Sequence, residues 1–577
     1  MVNINSRNVL VLHLAGLVFL CGILFFSFLD WAPFFDKGEP REALVVQEIF
    51  AHGDWLFPLK RGEEVPSKPP LFHWFAAMAS KAWGGLTEAT VRFPSALFAT
   101  VGVLSLYFLG RRLFDPQAAF LGAIILSTSV PYQSMAISAR VDMTLTFFVT
   151  LALVIFYLIY RNDLTGNFGY YCFYFILGIG ILAKGPVGLV LPGMVIFSFV
   201  GLKKRWDLLS RISLHPGVIL TLVIGMSWYG TALMRGGEDF FNRQLLHENL
   251  ARFFVYGEGG SGHQKPFYYY FPYLILGGLP WSLFLPFAMV QWFKDRAFSK
   301  DSILFLLLWV GIVFFFFSLS AGKRAIYLLP LYPPLSLLIG LWLAQPGTEG
   351  RMRLLGLKSV GWLAVFMGLT MLAVFLVVAA GNGTSGLLSY FEVMLKPKDR
   401  ANLSIVQQTL DRAGWFFLPF LFSSALLWLS VARNLLTLNA RAAAFGLACL
   451  SVLTGVLVQG AVMPAIAESR SYKPFVTEVK RQLGENENLY LYGEGWDYAP
   501  VLFYLGDRVQ VIRAGLPSMQ EKMQESGDYY IIGEREWRKI AAGEAGVIPV
   551  ELRSQGTGPD GKDPIVLVRG MKSGKGK

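Results

Sequence analysis

The chain has 577 residues, of which 54% are hydrophobic and only 16% are charged. Soluble proteins carry about 25% charged residues, so this composition excludes an ordinary soluble enzyme. The net charge of +12 comes from lysines and arginines in short loops between apolar runs, a distribution that argues against a nucleic-acid partner.

Apolar runs of about 20 residues recur along most of the chain, and this is the length that crosses the hydrocarbon core of a bilayer. The first run is too long for a signal peptide and no small-residue cleavage site follows it. We therefore predict an all-α polytopic membrane protein with about thirteen transmembrane helices. The predicted spans lie near 8–30, 93–113, 117–137, 143–160, 168–183, 185–202, 216–233, 268–292, 303–320, 325–345, 355–380, 414–432 and 442–465.

The distribution of lysine and arginine predicts the orientation of these spans. If the N-terminus is cytoplasmic, fifteen of these residues fall in the short inside loops, whereas the short outside loops hold only Arg140, Lys184, Lys323 and Arg324. Because inside loops carry the excess of positive charge, we predict a cytoplasmic N-terminus. An odd number of spans then places the C-terminal region outside the cytoplasm.

Three segments interrupt the predicted spans. Residues 31–91 form a long outside loop, in which the apolar spacing after Pro40 predicts an amphipathic helix on the membrane surface and "KPPLFHWFAAMASKAW" predicts a second one. Residues 234–267 form another outside loop. In the polar segment 466–577, "KPFVTEVKRQL" predicts a helix, and "NLYLYG", "VQVIR", "YYIIG" and "PIVLVRG" predict strands. We predict a transmembrane domain at 1–465 and a small extracytoplasmic α/β domain at 466–577.

Ionisable residues converge on the predicted outer face from loops that are far apart in the sequence. They are Asp36, Glu39, Arg41, Glu42 and Lys68 of the first loop, and Arg140, Asp142, Lys184, His263, Lys323 and Tyr327 of later segments or their edges. Each lysine or arginine alone has an ordinary alternative, since such side chains often extend to the headgroups. Charged groups at helix ends are nevertheless costly unless paired or functional. Together they favour a phosphate site with a carboxylate as general base.

A series of motifs places these residues in a recognisable order. The motifs are "GEPREALVVQEIFAHGDWLFP", "PSKPPLFHWFAAMASKAWG", "TVRFPSAL", "ARVDMTLTFF", "AKGPVGLVLP", "HQKPFYYYFPYLILGGLPW" and "KRAIYLLPLYPPLSLL". Over roughly residues 30–340 the chain resembles the membrane glycosyltransferases of the dolichyl-phosphate-mannose–protein mannosyltransferase type. Within them it resembles the bacterial branch that contains the lipid A 4-amino-4-deoxy-L-arabinose transferase.

The resemblance implies a GT-C fold enzyme in the bacterial inner membrane, with its C-terminal domain in the periplasm. Such enzymes move a sugar from a polyprenyl-phosphate donor to an acceptor at the outer face, here a lipid such as lipid A, another glycan or a protein. By position, the resemblance implies that Glu39 and Asp142 are the catalytic carboxylates. It implies that the donor-binding residues are Arg41, Lys68, Lys184, His263 and Lys323, with Tyr327 as a hydroxyl donor.

Two positions depart from the family pattern. The family has an adjacent acidic pair before the arginine, whereas here Gly38 precedes Glu39, so either Glu39 or Asp36 must serve as the first-loop carboxylate. The arabinose-transferase branch has a glutamate before the lysine of "KPP" that helps to bind a metal, and here Ser67 takes its place. One histidine with scattered carboxylates is not a closed ligand set, so a divalent metal is left open as a cofactor but is not supported by the sequence, and we assign no metal ligands.

Two other classes of protein fit the same spans. A transporter or flippase of lipid-linked sugars would explain the helices and cations, but such proteins favour ionisable groups at the membrane midplane and inverted repeats. Neither feature is visible in the sequence. A structural assembly subunit is the second alternative, and for it the residues at the outer face would be incidental.

Overall fold

The structure is a computed structural model of the chain. It describes residues 6–59, 67–244, 246, 264–345, 350–380, 397–412, 414–484, 487–493, 498–512, 519, 521–523, 526–541, 549–559, 561 and 564–570. The predicted donor-binding residue His263 lies outside the described residues.

Most of the described chain is helical. The helices of the membrane region are α1 (Ser6–Cys21), α2 (Glu39–His52), α3 (Leu71–Ala82), α4 (Glu88–Leu113), α5 (Pro116–Thr128), α6 (Val130–Ala136), α7 (Val141–Tyr160), α8 (Asn167–Lys184), α9 (Val187–Leu202), α10 (Trp206–Ser213), α11 (Gly217–Phe240), α12 (Tyr270–Gly277), α13 (Leu285–Lys294), α14 (Asp301–Leu319), α15 (Tyr332–Ala344), α16 (Arg351–Ala379), α17 (Pro397–Arg412), α18 (Gly414–Leu436), α19 (Ala440–Leu457) and α20 (Met463–Arg470).

The described helices confirm a polytopic membrane protein. Nine of them are long and apolar enough to cross a bilayer, and a tenth span results if the pair Phe267–Gly277 and Trp281–Lys294, bent by 105°, is counted as one. The other predicted spans are also helical in the structure. Two of these helices, α5 and α9, are shorter, and α6 continues the path of α5 after a break at Ser129.

Small residues bring the central helices of the bundle together. Gly340 of α15 faces Gly122 of α5 so closely that a Cβ at position 340 would lie 2.5 Å from the amide nitrogen of Gly122. Close backbone approach of this kind is how membrane helices gain packing contacts. The central helix α7 packs in the same bundle, and Asp142 lies in its first turn, near Lys68 of the first loop.

The first loop contains the two predicted helices. Asp36 precedes α2, Pro40 lies in the first turn of α2, and Pro70 immediately precedes α3. The prediction that α2 lies on the membrane surface is wrong about its apolar face. Ala43, Val46 and Ile49 are fully buried in one cluster with α3 and with Phe503 of the C-terminal region. Protein therefore covers the face that the periodicity alone assigned to lipid.

The C-terminal region combines helices with a mixed sheet. Its helices are α21 (Lys473–Gln482), α22 (Ala499–Leu505) and α23 (Glu534–Ala541), and its strands are β1 (Leu489–Tyr492), β2 (Val509–Ile512), β3 (Tyr529–Gly533), β4 (Val550–Arg553) and β5 (Ile565–Arg569). The strand order is β2-β1-β3-β5-β4. The pairs of β1 with β2 and β3 are parallel, whereas β5 pairs antiparallel with β3 and β4.

Four of the five strands and α21 confirm the predicted elements, and β4 was not predicted. The proposed domain boundary at 465/466 falls inside a helix, because the last span continues without a break from Ala440 to Arg470. The division of the chain into two domains therefore stays a prediction.

Candidate active site

The first loop turns into α2 around the side chain of Asp36. Its Oδ1 accepts hydrogen bonds from the backbone N–H groups of Gly38 (2.9 Å) and Glu39 (2.8 Å), so the side chain closes a turn directly before α2, whose N-cap residue is Gly38. Its Oδ2 accepts a hydrogen bond of 2.7 Å from Nη2 of Arg140. The Asp36 side chain remains 38% exposed. It is thus fixed in place and still accessible.

Arg140 joins the first loop to the start of α7. Burial lowers the pKa of its guanidinium, but the charges of four carboxylates outweigh this effect and raise the pKa overall. These carboxylates belong to Asp36, Glu39, Asp142 and Glu42. The guanidinium also occupies the space beside Gly38, where a Cβ would lie 1.8 Å from Nη2 of Arg140. Arg140 thereby fills the volume left by the missing first acid of the family pair.

Glu39 forms a buried ion pair with Arg92 of α4. Nε and Nη2 of Arg92 donate to Oε1 and Oε2 of Glu39 at 2.8 and 2.9 Å, and the N–H of Ala139 donates to Oε1 at 2.8 Å. Nη1 of Arg92 donates to the carbonyls of Leu29 and Ala32. Because both carboxylate oxygens are occupied, these contacts favour a structural role for Glu39. Its predicted role as general base stays a prediction.

Glu42 pairs with His73 of α3. Nε2 of His73 lies 2.7 Å from Oε2 of Glu42, and the histidine is almost fully buried. Burial alone would raise the pKa of Glu42, but the hydrogen bond and charge of His73, with the charges of Arg140 and Lys68, hold it below its ordinary value. Glu42 is therefore an ionised carboxylate at the centre of the loop.

Asp142 forms an ion pair with Lys184 of α8. Nζ of Lys184 donates to Oδ1 of Asp142 and lies 4.7 Å from the centre of the Tyr327 ring. Lys68 is near enough for its charge to act on both Asp142 and Glu42. The structure therefore brings four of the predicted residues into one cluster, which are Asp142, Lys184, Tyr327 and Lys68.

Lys323 lies in the turn after α14, where only 3% of it is exposed. Its ammonium donates to the carbonyl of Ser320, and burial lowers its pKa. Within the described residues it forms no ion pair. Arg41 lies in the first turn of α2 and is partly buried, but the described contacts do not place its guanidinium in the cluster.

The donor set of a metal site is lacking in the described part of the chain. No group of three or more His, Cys, Asp or Glu side chains there could hold a metal ion. Two carboxylates of this region already have partners, since Glu42 contacts His73 and Asp142 contacts Lys184. The described residues therefore do not fit a divalent metal.

Sequence reasoning assigned no role to Arg92 or His73, although both lie inside motifs that it had noticed, and it named Arg140 only as one of the converging charges. A signal for Arg92 was available, because a charged residue in an apolar span calls for a partner or a function. Identifying Glu39 as that partner required the fold, since 53 positions separate the two residues.

Comparisons with known proteins indicate the class of enzyme. The family model described as dolichyl-phosphate-mannose-protein mannosyltransferase matches residues 67–229. The undecaprenyl phosphate-alpha-4-amino-4-deoxy-L-arabinose arabinosyl transferase of Aeromonas hydrophila is 29% identical over 69% of this chain and 71% of its own length. The protein of the same name from Yersinia enterocolitica is 27% identical over 88% and 86%.

A solved structure matches almost the whole chain. The crystal structure of ArnT from Cupriavidus metallidurans bound to undecaprenyl phosphate superposes with a TM-score of 0.76, at 21% sequence identity, over 99% of this chain and 100% of that one. The likeness establishes the fold, including the C-terminal mixed sheet.

The helical bundle and the charged cluster together define a polytopic membrane glycosyltransferase of the GT-C fold. The chain is a glycosyltransferase that uses a polyprenyl-phosphate-linked sugar, and it is similar to the dolichyl-phosphate-mannose-protein mannosyltransferase family over residues 67–229 and to the bacterial arabinosyl transferases over most of its length. The predicted fold class and enzyme class are confirmed.

Proposed function

We propose that this enzyme transfers a sugar of the 4-amino-4-deoxy-L-arabinose type from undecaprenyl phosphate to an acceptor of the lipid A type. The donor is proposed because the similar proteins named above carry it in their names and cover most of this chain. Among the acceptors that the sequence analysis left open, lipid A is the first to test, and glycans and proteins follow.

The observation that best supports a phosphate-linked donor is the buried ammonium of Lys323. A buried charge without a partner is costly, and an anionic ligand offsets that cost. Lys323 has a single described hydrogen bond, to a carbonyl, and no carboxylate partner within the described residues. Lys184 and Lys68 supply further positive charge beside Asp142. We propose that these three lysines hold the donor phosphate.

The reaction needs a base and a stabilised leaving group. We propose that a carboxylate removes the proton of the acceptor hydroxyl as the acceptor oxygen attacks the anomeric carbon of the sugar. The bond from this carbon to the phosphate oxygen breaks, and its electron pair stays on the phosphate. Cations around the phosphate stabilise the charge that develops there.

Asp36 is the better candidate for the base among the first-loop carboxylates. It is fixed by three hydrogen bonds, which occupy both of its oxygens, and it remains 38% exposed, whereas Glu39 is paired with Arg92 in a buried site. Asp142 assists by holding Lys184 in place. This assignment keeps Asp142 as the second carboxylate. For the first carboxylate it replaces Glu39 by Asp36, the alternative named in the sequence analysis.

An apolar groove suits the lipid part of the donor. The groove has a volume of about 480 Å³ and is lined by Met194 of α9 and by residues of α14 from Leu307 to Leu319. Its last lining residue precedes Lys323 by four positions (323 − 319). We propose that the polyprenyl chain lies in this groove while its phosphate meets Lys323.

We also propose that the site faces the outer side of a bacterial inner membrane. The excess of lysine and arginine in the other set of loops supports a cytoplasmic N-terminus. The C-terminal sheet would then lie in the periplasm, next to the acceptor.

The test is transfer by the purified protein in lipid nanodiscs. We expect undecaprenyl phosphate-alpha-4-amino-4-deoxy-L-arabinose and lipid A to yield a glycosylated lipid A and free undecaprenyl phosphate, both detected by mass spectrometry. Undecaprenyl phosphate-linked mannose tests the choice of sugar, and glycan and peptide acceptors test the choice of acceptor. Lys323→Met should weaken donor binding at least tenfold, whereas Lys300→Met, an exposed lysine before α14, should not. Absence of transfer from every donor would contradict the proposal.

A further inference from the structure

The backbone of Phe34 is held by the C-terminal region on both sides. Its N–H donates a hydrogen bond of 2.8 Å to the hydroxyl of Tyr504, and its carbonyl accepts one of 3.1 Å from the hydroxyl of Ser471. Phe34 lies two positions before Asp36 in an irregular stretch that leads into α2. Residues more than 430 positions away in the chain thus hold the approach to the proposed base.

The ring of Phe34 is fixed as firmly as its backbone. It is fully buried, packs edge-on against Phe503 with 5.1 Å between ring centres, and carries the guanidinium of Arg92 5.1 Å above its own centre. Arg92 in turn donates to the carbonyl of Ala32, two residues earlier. The stretch from Ala32 to Asp36 is therefore tied at alternate residues.

The hydroxyl of Tyr504 donates one hydrogen bond and accepts another. Its hydroxyl donates to Oε1 of Glu88 at 2.8 Å, so the same oxygen is left to accept the N–H of Phe34. Glu88, at the start of α4, is buried and also accepts a hydrogen bond of 2.7 Å from Nζ of Lys473. The membrane region and the C-terminal region thus share one buried carboxylate directly beside the loop.

We propose that Tyr504 is a positioning residue for turnover, which holds the Phe34–Asp36 stretch so that the Asp36 carboxylate meets the acceptor. This inference rests on the proposed function, because it takes Asp36 as the base. The physical reason is that a catalytic group acts only within a narrow range of positions, so that a small misplacement costs rate and not binding. Tyr504 touches neither donor nor acceptor in this account.

Simple packing between α22 and α2 is the competing explanation. The two helices bury Ala499 and Phe503 against Ala43 and Val46, and this contact alone would stabilise the fold. The two explanations differ in what the hydroxyl does. Removing only the hydroxyl leaves the packing intact, and it removes the hydrogen bond that reaches the loop.

The experiment compares Tyr504→Phe with Tyr530→Phe in the full-length enzyme in nanodiscs. Tyr530 is a matched control in the same region, because its hydroxyl bonds only Ser526 and the carbonyl of Lys522 among its described contacts. We expect Tyr504→Phe to lower kcat about 5- to 10-fold with an unchanged KM for the donor, the effect of losing about one hydrogen bond. We expect Tyr530→Phe to leave both unchanged.

A double-substitution cycle shows whether Tyr504 acts through Asp36. If it does, Tyr504→Phe adds almost nothing in an Asp36→Asn background, since residues that act as a unit are non-additive. In an otherwise wild-type background it keeps its full effect. Equal effects in the two backgrounds, or no effect of Tyr504→Phe on kcat, would overturn the proposal.

Hydrogen–deuterium exchange supplies a readout that needs no turnover. Exchange in a peptide that covers residues 34–39 should be about 5-fold faster in Tyr504→Phe than in Tyr530→Phe, because the Phe34 amide loses its acceptor. Equal exchange in the two variants would overturn the proposal whatever the kinetics. If Asp36→Asn retains full turnover but exchange is faster in Tyr504→Phe, Tyr504 still holds the loop, and it is the assignment of the base that fails.

Discussion

The carboxylate of Glu39 meets the guanidinium of Arg92 at two points, 2.8 Å at Nε and 2.9 Å at Nη2. Both side chains are more than nine-tenths buried. The pair therefore contributes to the fold of the first loop as well as to its charge. Glu39 has two candidate roles, as a structural residue and as the general base, and experiments can distinguish them.

Glu39→Gln should destabilise the protein. Removing one partner of a buried ion pair leaves the other charge uncompensated, which costs roughly 3 to 5 kcal/mol. We expect a clearly lower unfolding temperature in nanodiscs, whereas Glu536→Gln, in an exposed pair with Lys539, should change it little. A large loss of turnover with unchanged stability would instead support Glu39 as the general base.

Asp36→Asn should lower turnover by about 10²- to 10⁴-fold, the contribution of a general base. Asparagine keeps the shape, and its side-chain oxygen can still accept the N–H groups of Gly38 and Glu39, so the fold should persist. Asp142→Asn should also lower turnover and weaken donor binding, because Lys184 loses its partner. The double variant should lose less than the product of the two effects. Full activity of Asp36→Asn would return the role of base to Glu39.

Lys68→Ala should weaken donor binding by about 2 to 4 kcal/mol, as for one partner of a buried charge pair. Lys68→Arg should restore only part of the affinity, because a planar fork replaces a compact charge. Titration with undecaprenyl phosphate measures the effect. Lys81→Ala is the control, since Lys81 is exposed at the end of α3 and lies over the Trp55 ring. Unchanged affinity in Lys68→Ala would remove Lys68 from the phosphate site.

The stability of the first loop should depend on the charge of Glu42. Its pKa is lowered in the folded protein, so the stabilisation is complete above the ordinary glutamate pKa of about 4.3 and is lost as the pH falls through the folded value. Between about pH 5 and pH 3, the unfolding temperature of the wild type should fall more steeply than that of Glu42→Gln. Parallel curves for the two proteins would show that Glu42 is not stabilised by His73 and its neighbours.

Cysteine labelling tests the proposed orientation. In a background without the three native cysteines, Lys539→Cys on α23 should react with an impermeant thiol reagent in spheroplasts. Arg211→Cys, in a predicted inside loop, should react only after lysis. Both positions are exposed, so accessibility to the reagent is matched. The opposite result would place the charged cluster on the cytoplasmic side.

The sequence predicted those elements whose signal is local. A run of apolar residues long enough to cross a bilayer is visible without the fold, and so are Pro40 and Pro70 at the starts of α2 and α3. Asp142 and Lys184 could be assigned to one site because each lies at the end of an apolar run and the family motifs give their order. Strand β4 was missed because its run is only four residues long and mostly exposed, although Val550 and Leu552 alternate with Glu551 and Arg553.

The rest depended on contacts between distant parts of the chain. The apolar face of α2 has the same periodicity whether lipid or protein covers it, and only the fold shows Phe503 against it. Likewise, nothing local to Glu39 indicates that Arg92 will occupy both of its oxygens, or that Asp36 will remain accessible. Long-range pairing therefore decided which first-loop carboxylate is the better candidate for the base.

The guanidinium of Arg140 beside Gly38 has a consequence for redesign of the first loop. A Cβ at position 38 would lie 1.8 Å from Nη2 of Arg140, which is the far end of a flexible side chain. A substitution there therefore displaces the guanidinium, and the hydrogen bond that Arg140 donates to Asp36 changes with it. The size of the residue at position 38 is thus coupled to the setting of a carboxylate two residues away.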